Sequence, residues 1–120
     1  MLKTIVFAPA GPFRQELLAF VKSIPELDLA GVALDLPELQ ATAARCAPRL
    51  VILADGADFA PVATALRQLK QYTPPLLCLV LAENRQQIQQ AVAAGADGVL
   101  LRGFSTEEFL TALKRIMKQT

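Results

Sequence analysis

The sequence predicts an α/β domain in which a parallel sheet is covered by helices on both faces. Apolar runs alternate with longer stretches of helical periodicity, and this alternation repeats five times along the chain. The apolar runs are continuous, which is typical of parallel strands buried on both faces. With 120 residues, 53% of them hydrophobic, the chain is long enough for one core. We therefore expect a single domain over residues 1–120.

The first strand is predicted at residues 4–7 and is followed by a helix. Gly11 and Pro12 begin this helix, because proline is favoured in the first helical turn. Pro25 ends it. The apolar spacing predicts an inward face made of Phe13, Leu17, Phe20, Val21 and Ile24.

The second and third units follow the same plan. Residues 27–33 form the second predicted strand, and Asp35 with Glu38 caps the next helix. Residues 50–53 form the third strand, which a loop at 55–58 connects to the third helix. The predicted inward residues are Leu39, Ala43 and Cys46 on the second helix and Val62, Leu66 and Leu69 on the third.

The last two units carry the clearest helix starts. After Pro74-Pro75, residues 76–81 form the fourth strand, and Asn84 is the expected N-cap of the fourth helix. Residues 99–101 form the fifth strand, and Ser105 with Glu108 predicts a capping box. The predicted inward residues are Ile88, Ala91 and Val92 on the fourth helix and Phe109, Leu110, Leu113, Ile116 and Met117 on the fifth.

Composition excludes several classes of function. A net charge of +1 with no histidine argues against direct nucleic-acid binding, which favours a clustered basic face. Cys46 and Cys78 have no neighbouring ligand to complete a metal site, so we expect small buried thiols. No apolar stretch approaches the roughly 18–20 residues of a membrane span, and no leader pattern opens the chain. We expect a cytoplasmic protein without membrane contact.

Three segments give the chain a resemblance to a known family. They are PFRQELL at residues 12–18, APRLVIL at 47–53 and AGADGVLLR at 94–102. Together with the five βα units, they make the whole chain similar to a response-regulator receiver domain. Within that family, it most resembles the receivers of LuxR-type (helix-turn-helix) or NarL-type regulators. Because AGADG also precedes strands of (β/α)₈ barrels, half a barrel is the rival fold. The resemblance implies a flavodoxin-like (βα)₅ three-layer sandwich, with sheet order 2-1-3-4-5 and any site at the carboxyl ends of strands one and three.

The resemblance also implies a specific chemistry. Receiver domains take a phosphoryl group from a partner histidine kinase onto an Asp at the end of strand three. An acidic pair after strand one helps to hold Mg²⁺. A hydroxyl residue ending strand four and a Lys ending strand five contact the phosphoryl oxygens, and an aromatic residue in strand five reports the change.

This chain lacks nearly all of those groups. The acidic pair falls on Ala8 and Pro9 and the phosphoacceptor on Ala54, and none of these side chains can ligate Mg²⁺. The hydroxyl position falls on Val80 or, after a one-residue slip, on Leu81. The Lys position falls on Arg102, and the aromatic position falls on Val99. We therefore expect no catalytic residue, no metal, no cofactor and no enzymatic activity.

Two charged residues keep alternatives open. Asp55, one residue past the expected acceptor, is a possible alternative acceptor if a bulge or an early strand end brings it into the pocket. Otherwise it is a solvated turn residue. Arg102 either binds an anionic ligand or, as we favour, pairs with Asp55 or Glu83. Two aromatic residues, Phe59 and Phe104, either anchor a partner or cover the sheet end.

The leading functional hypothesis is a pseudo-receiver that acts by phosphorylation-independent protein–protein interaction. We expect a homodimer whose partner is another protein or its own output domain, possibly one that controls transcription. The candidate interaction surface is the polar face Gln86, Gln87, Gln89 and Gln90. One alternative is a phosphoaccepting receiver that uses Asp55 in a phosphorelay. The other is a small anion or metabolite sensor whose degenerate pocket is lined by Ala8, Pro9, Ala54 and Arg102.

Overall fold

Five strands and five helices alternate along the chain in a computed structural model that describes residues 2–54, 59–72 and 76–118. The strands are β1 (Leu2–Phe7), β2 (Leu27–Ala33), β3 (Leu50–Ala54), β4 (Leu77–Ala82) and β5 (Gly98–Leu101). The helices are α1 (Pro12–Lys22), α2 (Leu36–Cys46), α3 (Ala60–Leu69), α4 (Arg85–Ala93) and α5 (Thr106–Met117). The predicted loop at 55–58 and the Pro74-Pro75 break lie outside the described residues.

The strands form one parallel sheet in the order β2-β1-β3-β4-β5. Helices α1 and α5 pack on one face, and α2, α3 and α4 pack on the other. The predicted three-layer sandwich and its strand order are therefore confirmed. Half a barrel, the rival fold, is wrong, because β2 and β5 are the open edges of a single sheet.

Each face of the sheet has its own apolar core. Side chains of the central strands β1, β3 and β4 alternate between the two faces, as the pleat of a strand requires. On one side they meet Leu17 and Val21 of α1 and Phe109 of α5, and on the other they meet Leu39 of α2 and Leu66 of α3. Continuous apolar strands thus supply both cores at once.

The predicted helix starts are present. The side chain of Asp35 accepts a hydrogen bond from Glu38 N at 2.9 Å, and that of Asn84 accepts one from Gln87 N at 2.9 Å. Ser105 and Glu108 form a complete capping box. Each cap satisfies a backbone N–H that would otherwise lack a partner at the start of a helix.

For two residues the predicted inward orientation is wrong. Val92 is 61% exposed and Met117 is 43% exposed. Helix α4 contacts the sheet through Gln87 and Ala91, which lie one turn apart. Because successive residues are 100° apart around a helix, this contact turns Val92 outward. Met117 follows the buried Ile116 in the last turn of α5 and is turned away in the same manner.

None of the helices in the described part of the chain is both long and apolar enough to cross a membrane.

Replacing Gly31 by alanine is expected to lower the free energy of unfolding by about 1–3 kcal/mol, because it overpacks a tight contact. A Cβ at Gly31 in β2 would lie 2.5 Å from Cγ2 of Thr42. Thr42 lies on the buried face of α2. Urea denaturation measures the loss. Because Thr42→Ser removes that methyl group, adding Gly31→Ala to Thr42→Ser should cost less than half as much as it costs in the parent. Equal losses in both backgrounds would contradict the steric explanation.

Candidate functional site

The carboxyl ends of β1 and β3 meet at an apolar surface. Ala8 follows β1 and Ala54 ends β3, and each is only 1% exposed. Both belong to the core cluster that contains Leu81 and Phe109. Pro9, next in the chain, is exposed. The side chains at the positions that the resemblance assigns to acidic residues therefore contribute methyl and methylene groups and no oxygen ligand.

Strand register places one of the two candidate hydroxyl positions beside Ala54. Leu81 pairs with Ala54 across β3 and β4, and both lie in the core beneath α1 and α5. Val80 pairs with Leu53 and packs into the opposite core. On geometric grounds the slipped position, Leu81, is thus the neighbour of Ala54. Val99, at the position of the aromatic residue, is partly buried in the core of the α2–α4 side.

Arg102 contacts the end of β4, the β4–α4 loop and the start of α1 at this end of the sheet. Its Nη1 donates to Oε1 of Glu83 at 2.7 Å, and its guanidinium carbon lies 4.0 Å from the ring centroid of Phe13. Its backbone N donates to the carbonyl oxygen of Ala82 at 2.9 Å. The favoured internal pair with Glu83 is therefore present. Asp55, the other candidate partner and the alternative acceptor, lies outside the described residues.

The contacts of Arg102 fix its direction more than they add stability. Both side chains of the Arg102–Glu83 pair are partly exposed. Exposed pairs contribute roughly 0.2–1 kcal/mol, and an exposed cation–π contact about 0.5–1 kcal/mol. Together they hold the guanidinium between the β4–α4 loop and the start of α1. The charge of Arg102 is thus directed toward groups of the protein itself.

An aromatic cluster supports the loop that follows Arg102. Phe104 lies 5.6 Å from Phe20 and 5.8 Å from Phe109 between ring centroids, and Phe20 lies 4.9 Å from Phe109. Phe59, before α3, is buried in the other core. For both Phe59 and Phe104 the structure favours packing against the protein over exposure to a partner.

The predicted glutamine face of α4 is wrong at Gln87. Gln87 is 6% exposed, whereas Gln86, Gln89 and Gln90 are exposed. The Oε1 of Gln87 accepts a hydrogen bond from Glu83 N at 2.8 Å. A local hydrogen bond at the helix start thus turns Gln87 inward, although the apolar pattern assigned the inward face to Ile88 and Val92.

The described residues do not fit the magnesium site of the family. Among residues 2–54, 59–72 and 76–118, no group of three His, Cys, Asp or Glu side chains is arranged to hold a metal ion. Mg²⁺ needs oxygen ligands in near-octahedral geometry. Ala8, Pro9 and Ala54 leave no side-chain oxygen at the ends of β1 and β3.

A polar network that was not predicted from the sequence lies at the opposite end of the sheet. Asp97 accepts hydrogen bonds from the Lys70 ammonium and from Cys78 N, the latter at 2.8 Å. Lys70 Nζ also donates to the carbonyl oxygen of Leu76 at 2.9 Å. The sequence signal that could have indicated this network is Asp97, the acidic residue of AGADG immediately before a strand. The network joins the end of α3 to the starts of β4 and β5.

Cys78 lies next to this network, but its thiol is unreactive. Burial raises the pKa of its thiol to about 12, so the sulfur stays protonated and weakly nucleophilic at neutral pH. Cys46 is half-buried, and its Sγ lies 3.5 Å from the carbonyl oxygen of Ala30. Both cysteines are free thiols. Cys78 is buried as predicted, and Cys46 only in part.

Comparison of the folds identifies the architecture. The receiver domain of NarL from Mycobacterium tuberculosis superimposes with a TM-score of 0.79 at 19% identity, covering 99% of this chain and 98% of that chain. The chain has the fold of a response-regulator receiver domain. A LuxR-family two-component response regulator from Aurantimonas gives a TM-score of 0.81 at 17% identity, with 99% of this chain and 87% of that chain covered.

The isolated receiver domain of RcsB from Salmonella enterica serovar Typhimurium has the same fold. It gives a TM-score of 0.77 at 16% identity, with 98% of this chain and 90% of that chain covered. Against RcsB bound to promoter DNA, the chain spans 61% of the other chain's length. No protein-family model and no curated protein matches the sequence.

Proposed function

We propose that this receiver-fold domain is a pseudo-receiver, a signalling module that acts by binding other proteins without being phosphorylated. The observation that carries the proposal is the apolar filling of the family's site. Ala8 and Ala54 are buried at the positions of the acidic groups, and Arg102 is directed to Glu83 and Phe13. Because Ala8 and Ala54 are packed into the core, we expect the domain to act through its surfaces.

The same side chains argue against an anion sensor at this place. A pocket that holds an anion needs accessible donors. Ala8 and Ala54 offer none, and the guanidinium of Arg102 already contacts a carboxylate. A metabolite at this end of the sheet would have to displace Glu83.

For the partner we propose a protein surface, either another protein or an output domain of the same polypeptide. The relatives in fold include a LuxR-family regulator and RcsB bound to promoter DNA, which supports a role next to a transcriptional output. The exposed residues Gln86, Gln89 and Gln90 with Val92 form the candidate contact surface on α4. We further propose that the domain forms a homodimer, which sedimentation equilibrium measures directly.

An amide NMR titration with Mg²⁺ and then beryllofluoride tests the absence of phosphorylation. We expect no saturable shift at Asp55, Arg102 or α4 in millimolar Mg²⁺ and beryllofluoride, because the described site supplies no metal ligand. The RcsB receiver domain is the positive control, since its structure has been determined in the presence of this phosphomimetic. Saturable shifts at those positions would overturn the proposal and support phosphorylation at Asp55.

A further inference from the structure

A cleft of about 640 Å³ runs between α3 and α4. It exists because small side chains face each other across the two helices: Ala60 and Ala63 on α3, and Ala93 and Ala94 at the end of α4. Phe59, the residue before α3, also lines the cleft. The space thus arises from the packing of two regular helices and does not depend on a loop.

The described residues that line this α3–α4 cleft are rich in amides and include no acid. Its polar lining consists of Asn84, Gln86, Gln87 and Gln90 on the α4 side and Arg67 on the α3 side. Neither α3 (Ala60–Leu69) nor α4 (Arg85–Ala93) contains an Asp or Glu. Arg67 is exposed and forms no ion pair with any residue that the structure describes. Among the described residues that line the cleft, Arg67 therefore carries the one charge, and it is positive.

Gln87 supplies a hydrogen-bond donor to the cleft. Its side chain is 6% exposed and lines the cleft. The Oε1 atom accepts from Glu83 N, but the Nε2 atom makes no hydrogen bond to another residue in the described part of the chain. The described atoms that are both buried and unpaired do not include Nε2, so this amide group is accessible from the cleft and can donate to a water molecule or a ligand there.

The dimensions of the cleft fit an extended chain. From Phe59 to Arg67 the helix rises about 12 Å at roughly 1.5 Å per residue. An extended peptide covers about 3.3 Å per residue, so the distance matches roughly four residues. The alanines allow a main chain to approach closely. Glutamine amides offer both a donor and an acceptor, which matches the alternating groups of a peptide backbone.

We propose that the α3–α4 cleft binds an extended peptide segment of a partner protein, with an acidic side chain paired to Arg67. The guanidinium can grip a carboxylate through two parallel hydrogen bonds, while the amides on α4 pair with the peptide backbone. A backbone carbonyl accepts from Gln87 Nε2. This inference rests on the proposed function as a binding module and gives it a site and a partner chemistry.

Gln87 also connects the cleft with the position of the lost phosphorylation site. The Oε1 atom of Gln87 accepts a hydrogen bond from Glu83 N, and the Glu83 carboxylate pairs with Arg102. A peptide that orders Gln87 is therefore expected to shift the backbone amides of Glu83 and Arg102, although neither residue lines the cleft.

An amide NMR titration of the full chain tests the proposal. The probe is a mixture of N-acetylated tetrapeptide amides with Glu fixed at the last position and the other positions varied, and the matched mixture carries Gln there. We expect saturable shifts at Arg67, Gln87, Gln90 and Glu83 with the Glu mixture only. Because hydrogen bonds to a charged group contribute about 1.5–3 kcal/mol, Arg67→Gln should weaken this response by at least about tenfold.

Arg45→Gln on α2 is the matched control, since it removes the same charge from an exposed helical site outside the cleft. Its response should equal that of the parent. Equal shifts with both mixtures, no shift with either, or equal losses in both variants would overturn the proposal. Free glutarate that reproduces the shifts would also overturn it, by assigning the cleft to a small dicarboxylate. The beryllofluoride titration uses a different probe, so a failure of the proposed function is distinguished from a failure here.

Discussion

Replacing Phe109 by alanine is expected to lower the free energy of unfolding by about 3–5 kcal/mol, the usual cost of removing a fully buried aromatic ring. Phe109 is 0% exposed and contacts the rings of Phe20 and Phe104. The truncation removes this apolar burial and leaves a cavity between α1 and α5. Because a domain of this size has a total stability of roughly 5–15 kcal/mol, the variant should be marginal.

Urea denaturation followed by circular dichroism measures this loss. Phe109→Leu retains most of the volume and should cost clearly less than Phe109→Ala. Met117→Ala is the control on the same helix, since Met117 is 43% exposed, and it should change stability by less than about 1 kcal/mol. A similar loss for Met117→Ala and Phe109→Ala would show that α5 is stabilised by something other than the aromatic cluster.

Replacing Asp97 by alanine is expected to lower the free energy of unfolding by about 2–4 kcal/mol, although Asp97 belongs to neither of the proposed binding surfaces. The change leaves Cys78 N without an acceptor near the start of β4, a loss of about 1–3 kcal/mol. It also removes the partner of Lys70, whose ion pair is mostly shielded from solvent and so contributes more than an exposed pair. Three segments meet at this carboxylate, and they should loosen together.

Asp97→Asn separates the two contributions. An amide oxygen can still accept from Cys78 N, but the charge opposite Lys70 is lost, so an intermediate cost of about 1–2 kcal/mol is expected. Asp28→Ala, on the exposed side of β2, should stay within about 0.5 kcal/mol of the parent. Urea denaturation of the set measures the order. If the alanine and asparagine variants lose the same stability, the ion pair carries the effect and the hydrogen bond to Cys78 carries none.

The apolar site has a physical consequence for the proposed function. Acidic residues grouped around a metal repel one another, so such sites are maintained at a cost in stability. Ala8 and Ala54 remove that repulsion and add buried methyl groups to a core. Arg102, the charged residue among the described positions of the family's site, pairs with Glu83. In the proposed pseudo-receiver, the absence of phosphoryl chemistry would thus leave a stable scaffold that can present α3 and α4.

Prediction from sequence succeeded where one local pattern was sufficient. Continuous apolar runs predicted all five strands, and the residues Asp35, Asn84 and Ser105 predicted three helix starts that the structure has. It failed on α4, the shortest helix, where apolar spacing placed Val92 inward. There a single hydrogen bond from Glu83 N to Gln87 competes with the apolar stripe, and periodicity carries no information about such a bond.

The layered α/β architecture, the order of its elements and the absence of carboxylates at Ala8, Pro9 and Ala54 could all be read from the sequence. These are properties of residue type and spacing along the chain. Four further features became visible in the folded chain: the pairing of Arg102 with Glu83, the position of Leu81 beside Ala54, the contacts of Asp97 with Lys70 and Cys78, and the cleft between α3 and α4. Each of these depends on the distance between segments far apart in sequence, which the packing of the two helix layers onto the sheet sets.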